Sequence, residues 1–351
     1  MISDERELRA RDRLTRSAYD YFAGGADDEL TLADNVAAWR RLRLRPHVLR
    51  DVSKVATATT VLGTPVTAPV LVAPTGYQRL AHDEGERAVA RGAAEAGTIM
   101  IASTFSTVSL EDIAAAAPGG VRWFQLYVRR DRRWTEELVA RAVAAGYQAL
   151  VFTVDLPVLG LRRRDERNQF CLPPGMVMAN VGEPPPEVDG SGLAAYASGE
   201  VDAALTFADI EWLRGLCGLP ILVKGVLRGD DARACVDAGA AGIVVSNHGG
   251  RQLDTAVATA DALPEVAAAV GGDAEVIVDG GIRRGTDIVK AIALGASAVL
   301  VGRPVLWGLA TGGAGGVRGV LDGLRDELAR ALALCGAPSV ADVTADLVVT
   351  P

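Results

Sequence analysis

The chain has 351 residues, 49% of them apolar and 5% aromatic, with 39 glycines and a formal net charge of −8. That is enough apolar material for one large domain or two ordinary ones, and the acidic balance argues against nucleic acid or an anionic membrane surface as a partner. An anionic substrate would need arginines of its own.

The four cysteines, Cys171, Cys217, Cys235 and Cys335, lie far apart in no Cys/His pattern. They read as buried thiols of a reducing compartment, with no metal site. Met1 to Arg13 is densely charged and has no apolar signal region. No stretch approaches the ~18 apolar residues of a membrane span. The expectation is a soluble, cytoplasmic protein.

In chain order, residues 1–68 form an extension with helical stretches near 4–20 and 29–40 and a hairpin near 57–67. Eight candidate strands follow, at 69–73, 98–103, 122–127, 149–155, 221–224, 242–246, 276–279 and 298–301. Helical stretches come after each, near 84–96, 109–117, 134–145, 206–217, 229–238, 261–270, 285–294 and 316–334. The strands are short and apolar on both faces, as in a parallel sheet covered by helices. Eight β-then-α units predict an α/β fold of the (β/α)8 TIM-barrel type over residues 69–335, closed rather than open. The whole of 1–351 reads as one domain, with 336–351 as a tail. Residues 173–206, with Pro184-Pro185-Pro186, form a long loop after strand 4, of the kind that serves as a lid or a mobile segment.

Chemistry in such barrels gathers where the strands finish. The eight ends carry Ala73-Pro74-Thr75-Gly76, Ser103-Thr104, Gln125-Leu126-Tyr127, Thr153-Val154-Asp155, Lys224-Gly225, Ser246 to Asp254, Asp279-Gly280-Gly281 and Gly302-Arg303. In the sixth, Ser246-Asn247-His248-Gly249-Gly250-Arg251-Gln252-Leu253-Asp254, a base and a fixed cation stand three residues apart. Imidazole titrates near neutrality and suits proton abstraction, while guanidinium offers a fork for a carboxylate. The last two ends, with Arg283 and Arg303, form a candidate phosphate cradle. The bland alternative is a tight turn and solvated charges. Lys224 in the mouth suits stabilising negative charge on a bound ring, or a Schiff base. Asp155 suits holding the tautomer of His248, with helix capping or a turn as its alternative. Within Arg162-Arg163-Arg164 at least two arginines read as solvated or salt-bridged, and His47 and His82 read as structural.

With those residues in place, the chain resembles the FMN-dependent 2-hydroxy acid oxidases and dehydrogenases, from Tyr19-Asp20-Tyr21-Phe22-Ala23-Gly24-Gly25 to Val301-Gly302-Arg303-Pro304 and beyond. The nine residues from Ser246 to Asp254 match the family's signature. The resemblance implies FMN as cofactor, a small-molecule 2-hydroxy acid as substrate and oxygen as acceptor. It also implies a homo-oligomer, a tetramer in the family. By the same resemblance His248 is the base and Asp155 its supporting carboxylate. Arg251 and Arg162 bind the substrate carboxylate, and Tyr21 and Tyr127 contact its carboxylate and hydroxyl. The implied FMN contacts are Ala73, Pro74, Thr75, Ser103, Gln125, Thr153, Lys224 and Ser246, then Asp279, Gly280, Gly281, Arg283, Gly302 and Arg303.

The chain also departs from the pattern. Gly76 stands where many oxidases have alanine and some dehydrogenases and monooxygenases have glycine, which leaves the acceptor open. Phe22 replaces a frequent tyrosine and Leu161 a frequent arginine. Tyr77 and Phe105 look like bacterial hydroxymandelate oxidases, which favours a mandelate or 4-hydroxymandelate-like substrate over lactate or glycolate. Two other classes compete: a phosphate-binding barrel isomerase or lyase without flavin turnover, and an inactive barrel serving as a binding module.

Overall fold

The computed structural model describes residues 2–182 and 200–349. Eight parallel strands close into a barrel. They are β1 (Val70–Val72), β2 (Met100–Ser103), β3 (Arg122–Leu126), β4 (Leu150–Thr153), β5 (Ile221–Val226), β6 (Gly242–Val245), β7 (Glu275–Val278) and β8 (Ala298–Val301). Closure is made by β8 on β1, with Val299, Leu300 and Val301 in register with Val70, Leu71 and Val72.

Alternation along the strands builds two apolar layers. Leu71, Ile101, Trp123, Val151, Leu222, Val244, Ile277 and Leu300 form one cluster, filling the barrel. Their neighbours, such as Val70, Val72, Phe124, Phe152, Val223 and Val245, join the larger cluster against the helices. The antiparallel hairpin Thr59–Val61 with Thr64–Val66 adds Val61 and Val66 to the inner cluster and plugs the end from which the strands start.

The helices after the strands are α1 (Gly85–Glu95), α2 (Leu110–Ala116), α3 (Arg132–Ala144), α4 (Ala208–Leu216), α5 (Gly229–Asp237), α6 (Thr259–Val270), α7 (Gly285–Ala293) and α8 (Arg303–Cys335). The last is far longer than its apolar pattern predicts. It starts directly after β8, with Pro304 in its first turn, and breaks at Gly312-Gly313, where the backbone leaves helical angles. Beside the break, backbone carbonyls are held from the N-terminal helix: Arg13 Nη1 donates to Thr311 O at 2.6 Å.

The extension differs from expectation in one place. The first stretch is two helices, Ile2–Arg13 and Arg16–Ala23, because Thr15 caps the second, its Oγ1 accepting from Ala18 N at 3.2 Å. A third helix, Leu30–Arg41, follows. Two features carry too little periodicity to predict: the single-turn helix Arg163–Arg167, and the pairing of Arg43–Leu44 with Val348–Val349, which ties the tail to the extension. Cys217, Cys235 and Cys335 are buried, but Cys171 is exposed. It sits on the loop leaving Arg163–Arg167 with its side chain exposed between buried Phe170 and half-buried Leu172, so the expectation of four buried thiols is corrected.

Of the long loop, 173–182 and 200–206 are described, whereas the proline run lies outside the described residues. Among the described residues no helix is long and apolar enough to cross a membrane, and no group of His, Cys, Asp and Glu is placed to hold a metal.

Candidate active site

All eight strands finish on one cavity of about 1050 Å3, which includes the open space of its mouth. Tyr21, Phe105, Tyr127, Arg162, Lys224, His248 and Arg251 line it, as do the predicted cofactor contacts on β1 to β4 and on β7 and β8. Asp155 and Ser246 stand behind that lining.

His248 follows β6 with φ at +58°, a left-handed conformation unusual for a residue with a side chain. Its backbone N–H donates to Ser246 Oγ at 3.1 Å. Its Nδ1 lies 2.8 Å from Asp155 Oδ1 and its Nε2 3.4 Å from the Tyr127 hydroxyl. Burial holds the imidazole below its ordinary pKa range against the opposing pull of Asp155. For Asp155, burial is outweighed by His248 and Lys224, so its pKa lies below the usual carboxylate range. Neutral His248 therefore donates an Nδ1–H hydrogen bond to the Asp155 carboxylate and keeps a lone pair on Nε2. Burial pushes the Tyr127 phenol far up, leaving it a neutral donor.

Two arginines face this base. Arg162 is 6% exposed. Burial first, then the adjacent Arg251, lowers its pKa to about 10. Arg251 Nη1 donates to Tyr21 O at 2.6 Å and Gly24 O at 2.9 Å, and its guanidinium lies over the Tyr21 ring, 4.9 Å from the centroid. Among the described residues neither makes an ion pair with a carboxylate. Two adjacent like charges in a cavity wall, Arg162 buried and Arg251 half-buried, favour an anion between them. The other two arginines of that run are salt-bridged: Arg163 to Asp27 and Asp28, Arg164 to Asp20 and Glu29. Of the remaining histidines, His47 lies 3.5 Å from Asp346, and His82 Nδ1 accepts from Glu84 N.

The opposite wall presents polar groups. Lys224 Nζ donates to Ser246 Oγ at 2.9 Å and lies 3.3 Å from Asp279 Oδ2. Burial pulls the Lys224 pKa down, but Asp279 and Asp155 outweigh it, and the ammonium stays charged. Gln125 Nε2, Thr153 Oγ1 and Asp279 Oδ1 are buried with no hydrogen-bond partner among the described residues. Unmet buried donors and acceptors are costly, and a planar ligand rich in carbonyl and N–H groups would satisfy them. They fit the expected FMN, as does Lys224 beside a ring that becomes anionic on reduction. Ser103 and Thr75 are engaged meanwhile: Ser103 Oγ donates to Gln125 Oε1, and Thr75 Oγ1 accepts from Gln78 Nε2.

At the phosphate end, Arg303 differs from a simple phosphate clamp. Its Nε, Nη1 and Nη2 already donate to Phe22 O, Gly249 O and Gly24 O at 3.0, 3.0 and 2.9 Å. Burial, then Arg251 and Arg283, lowers its pKa to about 9. Guanidinium has five N–H groups, so Arg303 fastens the extension and the base loop while it lines the cavity. Asp287 Oδ2 accepts from the backbone N–H groups of Arg283 and Arg284 at 3.0 Å each, holding the turn that starts α7.

Apart from Tyr21, which the family resemblance names, sequence reasoning misses the extension's share of this site. Tyr21 stacks on Phe170 at 4.4 Å, and Phe105 on Tyr127 at 4.9 Å. No spacing rule links Phe170 to the mouth. Asn35 and Trp39, on Leu30–Arg41, bond to Asn247 and Gly280. Their only sequence signal is a polar residue and an aromatic on an otherwise ordinary helix. Within the nine-residue motif, Gln252 Nε2 donates to Asp155 O and Val158 O at 2.7 and 2.9 Å, fixing the loop that carries Asp155.

The FMN-dependent dehydrogenase family model matches residues 10–350. L-lactate oxidase of Nostoc sp. (strain PCC 7120 / SAG 25.82 / UTEX 2576) is 54% identical over 347 residues, 97% of this chain and 95% of the relative. Glycolate oxidase 5 of Oryza sativa subsp. japonica is 49% identical over 346 residues, covering 97% and 93%. A crystal structure of mandelate oxidase with (S)-4-hydroxymandelic acid superposes with a TM-score of 0.93 at 47% identity, covering 98% and 97%.

Proposed function

From its membership of the FMN-dependent dehydrogenase family, we propose that this enzyme oxidises an (S)-2-hydroxy acid with an aromatic side chain, of the mandelate or 4-hydroxymandelate type, to the 2-oxo acid. Oxygen is the acceptor in this reading. FMN is the family's cofactor, and when bound it supplies the two-electron acceptor that passes its electrons to oxygen, giving hydrogen peroxide.

The observation that carries the reading is the adjacent pair of a buried Arg162 and a half-buried Arg251, neither ion-paired with a carboxylate among the described residues, facing a neutral His248 held by Asp155. The guanidiniums clamp the substrate carboxylate. That brings the substrate hydroxyl to His248 Nε2, beside the Tyr127 hydroxyl. His248 takes the hydroxyl proton as the α-carbon gives up its hydrogen with two electrons, and Asp155 stabilises the imidazolium. Tyr127 donates to the substrate oxygen. Lys224 balances negative charge on the far side.

The aromatic preference is supported by Phe105, Tyr21 and Tyr127, which with Leu156 and Leu159 make an apolar, ring-lined mouth. Lactate or glycolate is the second reading, favoured by the 54% identity to a lactate oxidase. Gly76 supports a different acceptor or a decarboxylating outcome. A Cβ there would meet Phe105 Cβ at 3.2 Å and the Tyr21 hydroxyl at 3.7 Å, so the glycine leaves space beside these rings.

One experiment separates the readings. The yellow enzyme is mixed anaerobically with mandelate, lactate or glycolate, then exposed to oxygen while peroxide and product are quantified. The proposal expects bleaching with a kcat/KM for (S)-mandelate at least tenfold above lactate, and one peroxide per 2-oxo acid. Lactate outrunning mandelate overturns the substrate, and a carboxylic acid one carbon shorter overturns the simple oxidase.

A further inference from the structure

We propose that the helix Leu30–Arg41 is a common seat for the base loop after β6 and the phosphate turn after β7, and that Asn35 and Trp39 on it are positioning residues that couple the two. The proposal rests on the reading of the site above, in which His248 acts from the first loop and the cofactor phosphate sits at the second.

The helix is fastened to the base loop at two points. At its start Asp254 accepts the backbone N–H groups of Asp28, Leu30 and Thr31 at 3.1, 3.3 and 2.8 Å. One turn on, Asn35 and Asn247 exchange two side-chain bonds, each 2.8 Å, with both residues almost fully buried. Asn247 directly precedes His248. Its Oδ1 also accepts from Gly250 N at 3.2 Å, so the same amide shapes the loop on both sides of the base.

The helix's other end is fastened to the phosphate turn. Trp39 Nε1 donates to Gly280 O at 2.8 Å. The Trp39 carbonyl accepts from Lys290 Nζ at 2.8 Å, and Lys290 belongs to α7, the helix that begins at this turn. Asn35 Oδ1 also accepts from Thr259 N at 3.3 Å, while Thr259 Oγ1 donates to Asp279 O at 2.5 Å. One fully buried side chain thus bonds the base loop directly and, through Thr259, is linked to the end of β7.

The glycines of the two motifs have a shared cause in this helix. Gly250 has φ at +75°, and a Cβ there would lie 2.6 Å from Leu32 N. Gly281 has φ at +80°, and a Cβ would lie 2.1 Å from Asn35 O. Both positions need glycine for the conformation and again for the approach of this helix backbone. A shift of the helix toward one loop must therefore move the other, since neither contact has slack. Binding at the phosphate turn should then tighten the loop that carries His248, a coupling that is reciprocal in free energy.

The test uses the full chain, stripped of FMN and titrated with FMN, with amide hydrogen exchange followed over residues 246–254. In the wild type, FMN is expected to slow exchange there at least tenfold. Trp39→Phe keeps the packing and removes the one donor. It is expected to weaken FMN binding about tenfold and to reduce that protection. Asn35→Ala is expected to weaken FMN binding about tenfold, to lower kcat of the FMN-saturated enzyme about tenfold, and to abolish the protection. The coupling is overturned if FMN leaves exchange in 246–254 unchanged in the wild type. It is equally overturned if Asn35→Ala lowers only the melting temperature while FMN affinity, kcat and protection stay normal. Should Asn35→Ala not fold, Trp39→Phe decides alone: wild-type FMN affinity and protection in it would sink the idea. Failure of the underlying phosphate-site reading shows separately, as unchanged FMN affinity in Arg283→Ala.

Discussion

The inside of the barrel and its mouth are built under opposite rules. Leu71, Trp123, Val151, Leu222 and Leu300 are at most 1% exposed and carry no polar group that asks for a partner, apart from the Trp123 indole. At the strand ends and just past them, the mouth buries Lys224 and Arg162, half-buries Asp155 and His248, and leaves Gln125 Nε2, Thr153 Oγ1 and Asp279 Oδ1 without partners among the described residues. The first region spends its side chains on packing. The second holds charges and unmet hydrogen bonds that favour a bound ligand over an empty cavity. Substitutions in the two regions should therefore read out in different measurements.

The largest effect belongs to the mouth. His248→Ala should lower kcat by about 10³-fold, within the range of a general base, with the yellow colour and the melting temperature nearly unchanged. Rapid anaerobic bleaching of that variant would show that the base lies elsewhere. The converse comes from the filled interior. Leu222→Ala removes a fully buried side chain and should cost about 2–5 kcal/mol of stability, while the folded fraction keeps its kcat within twofold. A large loss of kcat with little change in stability would mean that packing and chemistry are not separable here.

A smaller effect is expected at the carboxylate clamp. Arg162→Leu removes one of two adjacent guanidiniums. KM for the hydroxy acid should rise 10- to 100-fold, the range of a lost charged hydrogen bond of about 1.5–3 kcal/mol. Stability should hold or improve, because burial and Arg251 both act against its charge. A lower melting temperature with unchanged KM would make Arg162 a structural residue.

That division also explains what was legible in the sequence. Every barrel strand lies close to its predicted range, because a short strand buried on both faces has few other ways to read. The strand ends were legible for the same reason: polar residues stop the apolar runs where the mouth begins. The extension was another matter. Tyr21 was named only through the family resemblance; Asn35 and Trp39, like Phe170 after the Arg163–Arg167 helix, reach the site from segments far from it in the chain, and no local period encodes a contact across 212 positions such as Asn35 with Asn247. Nor was the role of glycine here legible. In α8 it breaks a helix at Gly312-Gly313 without ending it, since Arg13 takes up the carbonyl of Thr311 there.

The finest test concerns acidity. Burial sets His248 below the ordinary imidazole value of ~6.5, and the neutral form is the one that accepts a proton. kcat/KM should therefore be flat near neutrality and fall as pH drops, with its midpoint below ~6.5. Asp155 pulls the other way and raises the imidazole. Asp155→Asn takes that pull away, so the acid limb should move to lower pH even as the plateau falls, because the tautomer and the imidazolium lose their support. A merely structural Asp155 would lower the plateau and leave the midpoint in place. A limb that moves to higher pH would mean that His248 is not the titrating group, since removing a carboxylate can only make that imidazole harder to protonate.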